Sequence, residues 1–97
     1  MRLANRLKNI IIKSIQSSFG SVDIYLFGSR VDDSKKGGDI DLAIDVTMPK
    51  EQFRQHKIQF TSSLIRAGFD LKIDIVPYHS NDKLLRDEIY RTALKIN

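Results

Sequence analysis

Apolar residues recur at helical spacing in three stretches of the chain. The first stretch predicts an amphipathic helix, and it contains Leu3, Leu7, Ile10, Ile11 and Ile15. Gly20 suits the left-handed cap that ends such a helix. A second helix is predicted from about residue 49 to 67, with Pro49 at its first position and Gly68 after its end. We expect its buried side to include Phe53, Phe60, Leu64, Ile65 and the stems of His56 or Lys57.

The third helical stretch begins after Pro77. Ser80 or Asn81 is expected to cap it, because a side-chain oxygen there accepts from the free N–H groups of the first turn. Its apolar positions are Leu84, Leu85, Ile89 and Leu94.

Three other stretches alternate between apolar and polar residues, which is typical of strands. They span residues 22–27, 39–46 and 71–76, and a polar segment that ends in Gly37-Gly38 separates the first two. In the second strand one face is apolar, and the other carries Asp39, Asp41, Ala43 and Asp45. The order of the elements predicts an α/β (α+β) fold, a small mixed β-sheet of three or four strands backed by helices. Residues 1–97 are expected to form one domain.

Composition removes several classes of function. The 97 residues include no cysteine, which excludes disulfides, thiolate metal sites and cysteine nucleophiles. His56 and His79 are too far apart in the sequence to form a zinc site by themselves. No apolar run approaches the ~20 residues that span a bilayer, and charges interrupt the first apolar residues, unlike a signal peptide. We therefore expect a cytoplasmic protein without a membrane partner.

The net charge of +4 comes from the first helix. Arg2, Arg6, Lys8 and Lys13 precede the first acidic residue, Asp23. A solvated helix face is the favoured interpretation, and a surface for RNA or an acidic partner is the alternative.

Asp39 and Asp41 are the first candidates for chemistry. At alternate strand positions their α-carbons are about 6.6 Å apart and their side chains point the same way. Such a pair requires compensation for its repulsion, and a divalent cation with oxygen ligands, Mg²⁺ or Mn²⁺, would supply it. A solvated acidic face is an equally good explanation of the pair alone.

Three further features favour a phosphate and metal site. Gly28 and Ser29 end the first strand, where backbone N–H groups and the serine hydroxyl can bind an anion. Arg30 adds a cation beside them, and Asp74 lies on the non-core face of another strand. Each has an ordinary alternative: Gly-Ser as a turn, Arg30 as a surface cation, and Asp74 paired with Lys72.

Together, LFGSR (26–30), DIDLAI (39–44) and Asp74 resemble the minimal nucleotidyltransferases of the DNA polymerase beta-like superfamily. The family pattern commonly has ten residues between Gly-Ser and the first aspartate, often with serine directly before it. This chain has nine residues there, and Gly38 in that place.

The resemblance implies a polymerase beta-like fold and a role for each matching residue. Asp39, Asp41 and Asp74 would be the catalytic metal ligands for Mg²⁺ (or Mn²⁺), and Asp74 would also help to deprotonate the acceptor hydroxyl. Gly28, Ser29 and Arg30 would bind the phosphates of ATP or another nucleoside triphosphate. Asp45 shares the acidic face but matches no required position.

The resemblance also implies a partner. Minimal domains of this kind often pair with a helical HEPN protein, as the antitoxin that adds AMP to a toxin. The alternative is an inactive binding module that neutralises such a partner by occlusion. Tyr78 or Tyr90 could be a site of self-modification, although a core or half-buried aromatic is the favoured interpretation.

Overall fold

The computed structural model describes residues 5–28, 40–69 and 72–97. Its elements are α1 (Asn5–Phe19), β1 (Asp23–Phe27), β2 (Ile40–Asp45), α2 (Lys50–Arg66), β3 (Ile73–Pro77), α3 (Lys83–Thr92) and β4 (Leu94–Lys95). Leu3, Leu71 and the predicted turn at Gly37-Gly38 lie outside the described residues. None of the helices in these ranges is long and apolar enough to cross a bilayer.

The four strands form one sheet in the order β3-β2-β1-β4. β1 pairs antiparallel with both β2 and β4, whereas β2 and β3 are parallel. The predicted small mixed sheet backed by helices is therefore confirmed. The parallel pair determines which residues of β3 lie opposite the candidate residues of β2. It aligns the two strands from Ile40 opposite Ile73 to Ile44 opposite Pro77.

The main core lies on the sheet face covered by α1 and α2. Side chains of both helices pack there against the apolar face of the strands, and the cluster includes Ile11, Ile15, Phe53, Phe60, Leu64, Ile24, Leu26, Leu42, Ile44 and Ile75. Gly20 ends α1 with φ +91° and its N–H donates to the Gln16 carbonyl, as the sequence predicted.

α3 covers the middle of the opposite face. Ala43 has no exposed surface, and it packs with Phe27 and Ile89 in a second, smaller cluster. The predicted acidic face of β2 is therefore not continuous, because buried Ala43 separates Asp41 from Asp45.

The structure corrects three details near the ends of elements. Asp82 caps α3 in place of Ser80 or Asn81, since its carboxylate accepts from the Leu84 and Leu85 N–H groups. Pro77 lies within β3 and does not follow it. Pro49 is the N-cap of α2 and not its first helical residue.

The end of the chain is the largest correction. Leu94 is not in the third helix but in β4, where it pairs with Leu26. Ala93 has extended backbone angles, φ −67° and ψ 137°, so the chain turns back along β1 and places Ile96 in the core. Leu94 is exposed, and so are two other predicted apolar positions, Ile65 and Leu84.

Candidate functional site

Gly28 directly follows β1 and holds a left-handed backbone conformation, φ +79°. Its backbone N–H donates to the Thr92 hydroxyl oxygen, with 3.5 Å between nitrogen and oxygen. The Thr92 hydroxyl group in turn donates to the Glu88 carbonyl at 2.8 Å. The last turn of α3 therefore lies beside the end of β1. Thr92 was not a candidate from the sequence, because nothing in its local pattern indicates this long-range contact.

The carboxylate of Asp41 occupies the space next to Gly28. Asp41 is the register partner of Phe27 in the antiparallel β1–β2 pair. A Cβ atom placed on Gly28 would lie 2.7 Å from Asp41 Oδ2, a distance that real Cβ contacts do not reach. Glycine is therefore required here both for its conformation and for the close approach of this carboxylate.

Asp74 lies on the neighbouring strand, directly opposite Asp41. The two residues are α-carbon partners in the parallel β2–β3 pair, and adjacent strands are about 4.8 Å apart. Both side chains leave the sheet on the α3 face, because the next aligned pair on that side, Ala43 and Val76, packs in the α3 cluster. Two carboxylates from different strands are thus brought together without help from the intervening loops.

Lys57 of α2 forms an ion pair with Asp74, with 2.8 Å between Nζ and Oδ1. β3 is an edge strand, so a long side chain from the helix on one face can reach a residue on the other. From the sequence, Lys57 was expected only to place its aliphatic stem on the buried side of α2, and Lys72 was the expected neutralising neighbour of Asp74. The structure pairs Asp74 with Lys57.

Ser29, Arg30 and Asp39 lie outside the described residues. Within those residues, Asp41 and Asp74 are aligned on neighbouring strands, and no group of three or more candidate metal ligands occurs. The arrangement nevertheless fits a hard divalent cation, because carboxylate oxygens are suitable ligands and the bare α-carbon of Gly28 lets the Asp41 carboxylate lie beside the end of β1.

A second polar cluster lies at the other end of the α3 face. His79 follows β3, and its Nε2 is 3.4 Å from Asp45 Oδ1 while its Nδ1 is 2.9 Å from the Tyr90 hydroxyl. Tyr25 stacks on Tyr78 nearby, with ring centroids 4.3 Å apart. The pKa of Tyr25 is raised above its ordinary value, mainly by partial burial and next by the nearby Asp23 carboxylate.

A groove of about 960 Å³ lies between α2 and the end of β3. It is lined by α2 residues that include Arg54 and Lys57, and by the segment from His79 to Asp82. Lys57 therefore borders both this groove and the carboxylate site.

Comparison with known proteins assigns the chain to a family. The family model described as polymerase beta, nucleotidyltransferase, matches residues 9–96. Among curated proteins, none matches this sequence.

Solved structures similar to this chain include toxin–antitoxin complexes. One contains AMP-PNP, is 23% identical with a TM-score of 0.68, and the match covers 93% of this chain and 72% of that one. Another holds a tri-AMPylated HEPN toxin of Shewanella oneidensis with an MNT antitoxin; it is 24% identical with a TM-score of 0.64, covering 93% and 68% of the two chains. A third, of MntA and HepT, is 22% identical with a TM-score of 0.63 and coverage of 93% and 68%. At these identities the likeness shows the shared fold alone.

Proposed function

Because the chain belongs to the polymerase beta nucleotidyltransferase family, we propose that it transfers a nucleoside monophosphate, AMP from ATP, to a protein acceptor. The acceptor is a HEPN-type toxin, and the chain acts as its antitoxin in the cytoplasm. Residues 1–97 constitute one minimal nucleotidyltransferase domain.

The register of Asp41 with Asp74, beside Gly28, is the observation that supports this proposal most strongly. Two carboxylates on adjacent strands would hold a divalent cation, which would supply positive charge to the phosphate oxygens. Asp39, two residues before Asp41 on the predicted strand, is the third ligand. The half-exposed side chain of Asp74, 57% accessible, leaves this side open to an incoming acceptor.

The reaction forms a bond between an acceptor hydroxyl oxygen and the α-phosphorus and breaks the bond to pyrophosphate. Gly28 and Ser29 hold the β- and γ-phosphates, assisted by Arg30, so that the leaving group lies opposite the attacking oxygen. Asp74 receives the acceptor from the open side and assists loss of its proton. A bound Mg²⁺ or Mn²⁺ supplies positive charge to the phosphate oxygens.

Lys57 fits this arrangement as a built-in counter-charge. In the absence of a cation its ammonium group pairs with Asp74, which offsets the repulsion between two neighbouring carboxylates. The pair is exposed on both sides, so its contribution to stability is small, about 0.2–1 kcal/mol. It is weak enough for a divalent cation to displace.

The similar structures support the choice of partner and nucleotide. They include toxin–antitoxin complexes, one with AMP-PNP and one with an AMPylated HEPN toxin. We extend those properties to this chain as part of the proposal.

The test is to incubate the protein with a HEPN-type partner, Mg²⁺ and ATP labelled at the α-phosphate. Label should appear on the partner and pyrophosphate should be released in equal amount. Transfer that survives the double change Asp39→Ala with Asp41→Ala would refute the assignment. A double variant that transfers nothing but still neutralises the partner as well as the wild type would favour the occlusion module.

A further inference from the structure

Tyr90 has a base beside its hydroxyl group. Its Oη lies 2.9 Å from His79 Nδ1, and the other ring nitrogen, Nε2, lies 3.4 Å from Asp45 Oδ1. A carboxylate next to Nε2 favours the neutral tautomer with its proton on that nitrogen. Nδ1 then carries a lone pair, so the phenol donates to it. The order of phenol, imidazole and carboxylate is that of an activated nucleophile with an oriented base.

The surrounding rings hold this trio in place. Tyr78 contacts His79 edge-on, with ring centroids 4.9 Å apart, and it contacts Tyr90 at 5.4 Å. Tyr78 is itself stacked on Tyr25. Tyr90 lies on α3 and His79 lies in the turn after β3, so two elements are joined by the hydrogen bond. A base that is held by packing loses little freedom when the phenol reacts.

Tyr90 also differs from the other two tyrosines of the chain. It is 51% exposed, whereas Tyr25 and Tyr78 are only partly accessible. Because the pKa of Tyr25 is raised, its phenol ionises less readily to the phenolate, which is the nucleophilic form. Within the described residues, Tyr90 is thus the phenol with both a base and open access.

The carboxylate site of the same chain is too far away to serve Tyr90. Asp45 and Asp41 are four residues apart on β2, about 13 Å along the strand, and buried Ala43 separates them beneath Ile89. In-line attack requires reacting atoms about 3–3.5 Å apart. A donor nucleotide must therefore be presented by a second copy of the chain.

We propose that Tyr90 is a nucleotide acceptor on this chain, with His79 as its general base and Asp45 as the positioning residue of that base. This inference rests on the proposed nucleotidyltransferase function. A bond forms between Tyr90 Oη and the α-phosphorus of ATP bound to a second copy, and the bond to pyrophosphate breaks. The phenolic proton passes to His79 Nδ1. The product is a phosphodiester between the phenol and AMP.

The first experiment separates donor from acceptor. Unlabelled Asp41→Asn protein serves as acceptor, and nitrogen-15 wild-type protein serves as donor, with Mg²⁺ and ATP. Mass spectrometry should find AMP on Tyr90 of the light chain. The adduct should be absent when Asp41→Asn protein is incubated alone, and it should fall at least about tenfold when His79→Gln is added to the light chain.

Tyr78→Phe in the light chain is the matched control, because it removes a neighbouring phenol that has no hydrogen-bonded base among the described residues, and the Tyr90 adduct should persist. AMP on another residue, or on Tyr90 regardless of His79, would overturn the inference. If no adduct forms although the wild type labels a HEPN-type partner, the inference fails and the proposed function stands.

The second experiment does not depend on nucleotidyl transfer. An aryl sulfonyl fluoride reacts with phenols by sulfonylation of the oxygen and loss of fluoride. Tyr90 should react at least about tenfold faster than Tyr78, and His79→Gln should remove this difference. Equal reaction of the two tyrosines would contradict activation of Tyr90, whether or not the protein transfers AMP.

The positioning role of Asp45 has its own signature. Nitrogen-15 spectra of neutral His79 should show the tautomer with the proton on Nε2. Asp45→Asn should shift the population toward the other tautomer and slow sulfonylation of Tyr90. A purely structural role would leave the tautomer unchanged.

Discussion

Gly28 and Asp41 lie so close together that the structure has no space for a side chain between them. The ideal Cβ position at Gly28 is 2.7 Å from Asp41 Oδ2, and φ at Gly28 is +79°. The contact links the end of β1 to the carboxylate pair across β2 and β3. Gly28→Ala should therefore displace the Asp41 carboxylate and lower nucleotidyl transfer about 100-fold, since small misplacements at a reacting centre have effects of this size.

Gly20→Ala provides the matched control for that substitution. Gly20 also has a left-handed backbone, φ +91°, but no atom lies within 4 Å of its ideal Cβ position. Both variants should lose about 1–2 kcal/mol of unfolding free energy from backbone strain, as urea denaturation would measure. Only Gly28→Ala should lose activity beyond its folded fraction. Equal activity of the two folded variants would show that the approach to Asp41 is unimportant.

Lys57→Met should strengthen the binding of Mn²⁺ to the nucleotide-free protein by about three- to tenfold. Lys57 holds Asp74 at 2.8 Å, and an exposed pair of unit charges at this separation interacts by about 1 kcal/mol. A cation must replace that interaction when it binds. Titration followed by electron paramagnetic resonance would measure the change.

Arg54→Met is the control for the lysine variant. Arg54 lies on the same helix and pairs with exposed Glu51 at 3.5 Å, so its loss changes the net charge equally without touching Asp74. Mn²⁺ affinity that rises as much in this variant would assign the effect to net charge. Weaker binding in Lys57→Met would mean that Lys57 assists the cation.

Stability should fall as pH rises above about 10, and part of that fall belongs to Tyr25. Its pKa is raised in the folded protein, so the unfolded chain releases the phenolic proton first. The unfolded state thus binds fewer protons in this range, and stability decreases with pH until the folded phenol also ionises. Urea denaturation from pH 8 to 11 should show a smaller decline for Tyr25→Phe. Identical slopes for the two proteins would contradict this.

His56→Phe should increase the free energy of unfolding by about 1 kcal/mol. Nδ1 of His56 is buried and has no hydrogen-bond partner among the described residues, and such a group costs about 1–3 kcal/mol. The His56 ring packs 5.4 Å from Phe19, which also contacts Phe53, so phenylalanine preserves the ring contacts. His56→Asn, which loses the ring, should be destabilising. A less stable phenylalanine variant would indicate a partner for Nδ1.

Local periodicity was sufficient to predict three helices, three strands and the face on which Asp41 lies. Alternation of side chains in a strand depends on the backbone alone, so Ile40, Asp41 and Leu42 could be assigned to faces without knowledge of their neighbours. Gly28 was a candidate as part of a Gly-Ser anion site at the end of a strand, and its close approach to Asp41 was not predicted. β4 was missed because two residues have no measurable period, and their pairing with Tyr25 and Leu26 is set by tertiary structure.

Contacts between elements could not be predicted from the sequence. The Lys57–Asp74 pair depends on how α2 lies against the edge of the sheet, and the residues are 17 positions apart. Asp45 was set aside because it matches no family position, yet the turn after β3 brings His79 to it. Such pairs depend on how the elements pack against one another and not on the spacing of residues along the chain.

A double-mutant cycle on Asp41 and Asp74 tests the central claim most directly. The rate of AMP transfer from α-labelled ATP would be measured for Asp41→Asn, Asp74→Asn and the double variant, with Asp23→Asn as an exposed strand carboxylate on the same face. Each single change should lower the rate at least about 1,000-fold with a loss of no more than about 1 kcal/mol in stability, and the double variant should be no slower than the worse single one, because the two act as a unit. Transfer at the wild-type rate by Asp74→Asn, or losses that multiply, would contradict a shared site.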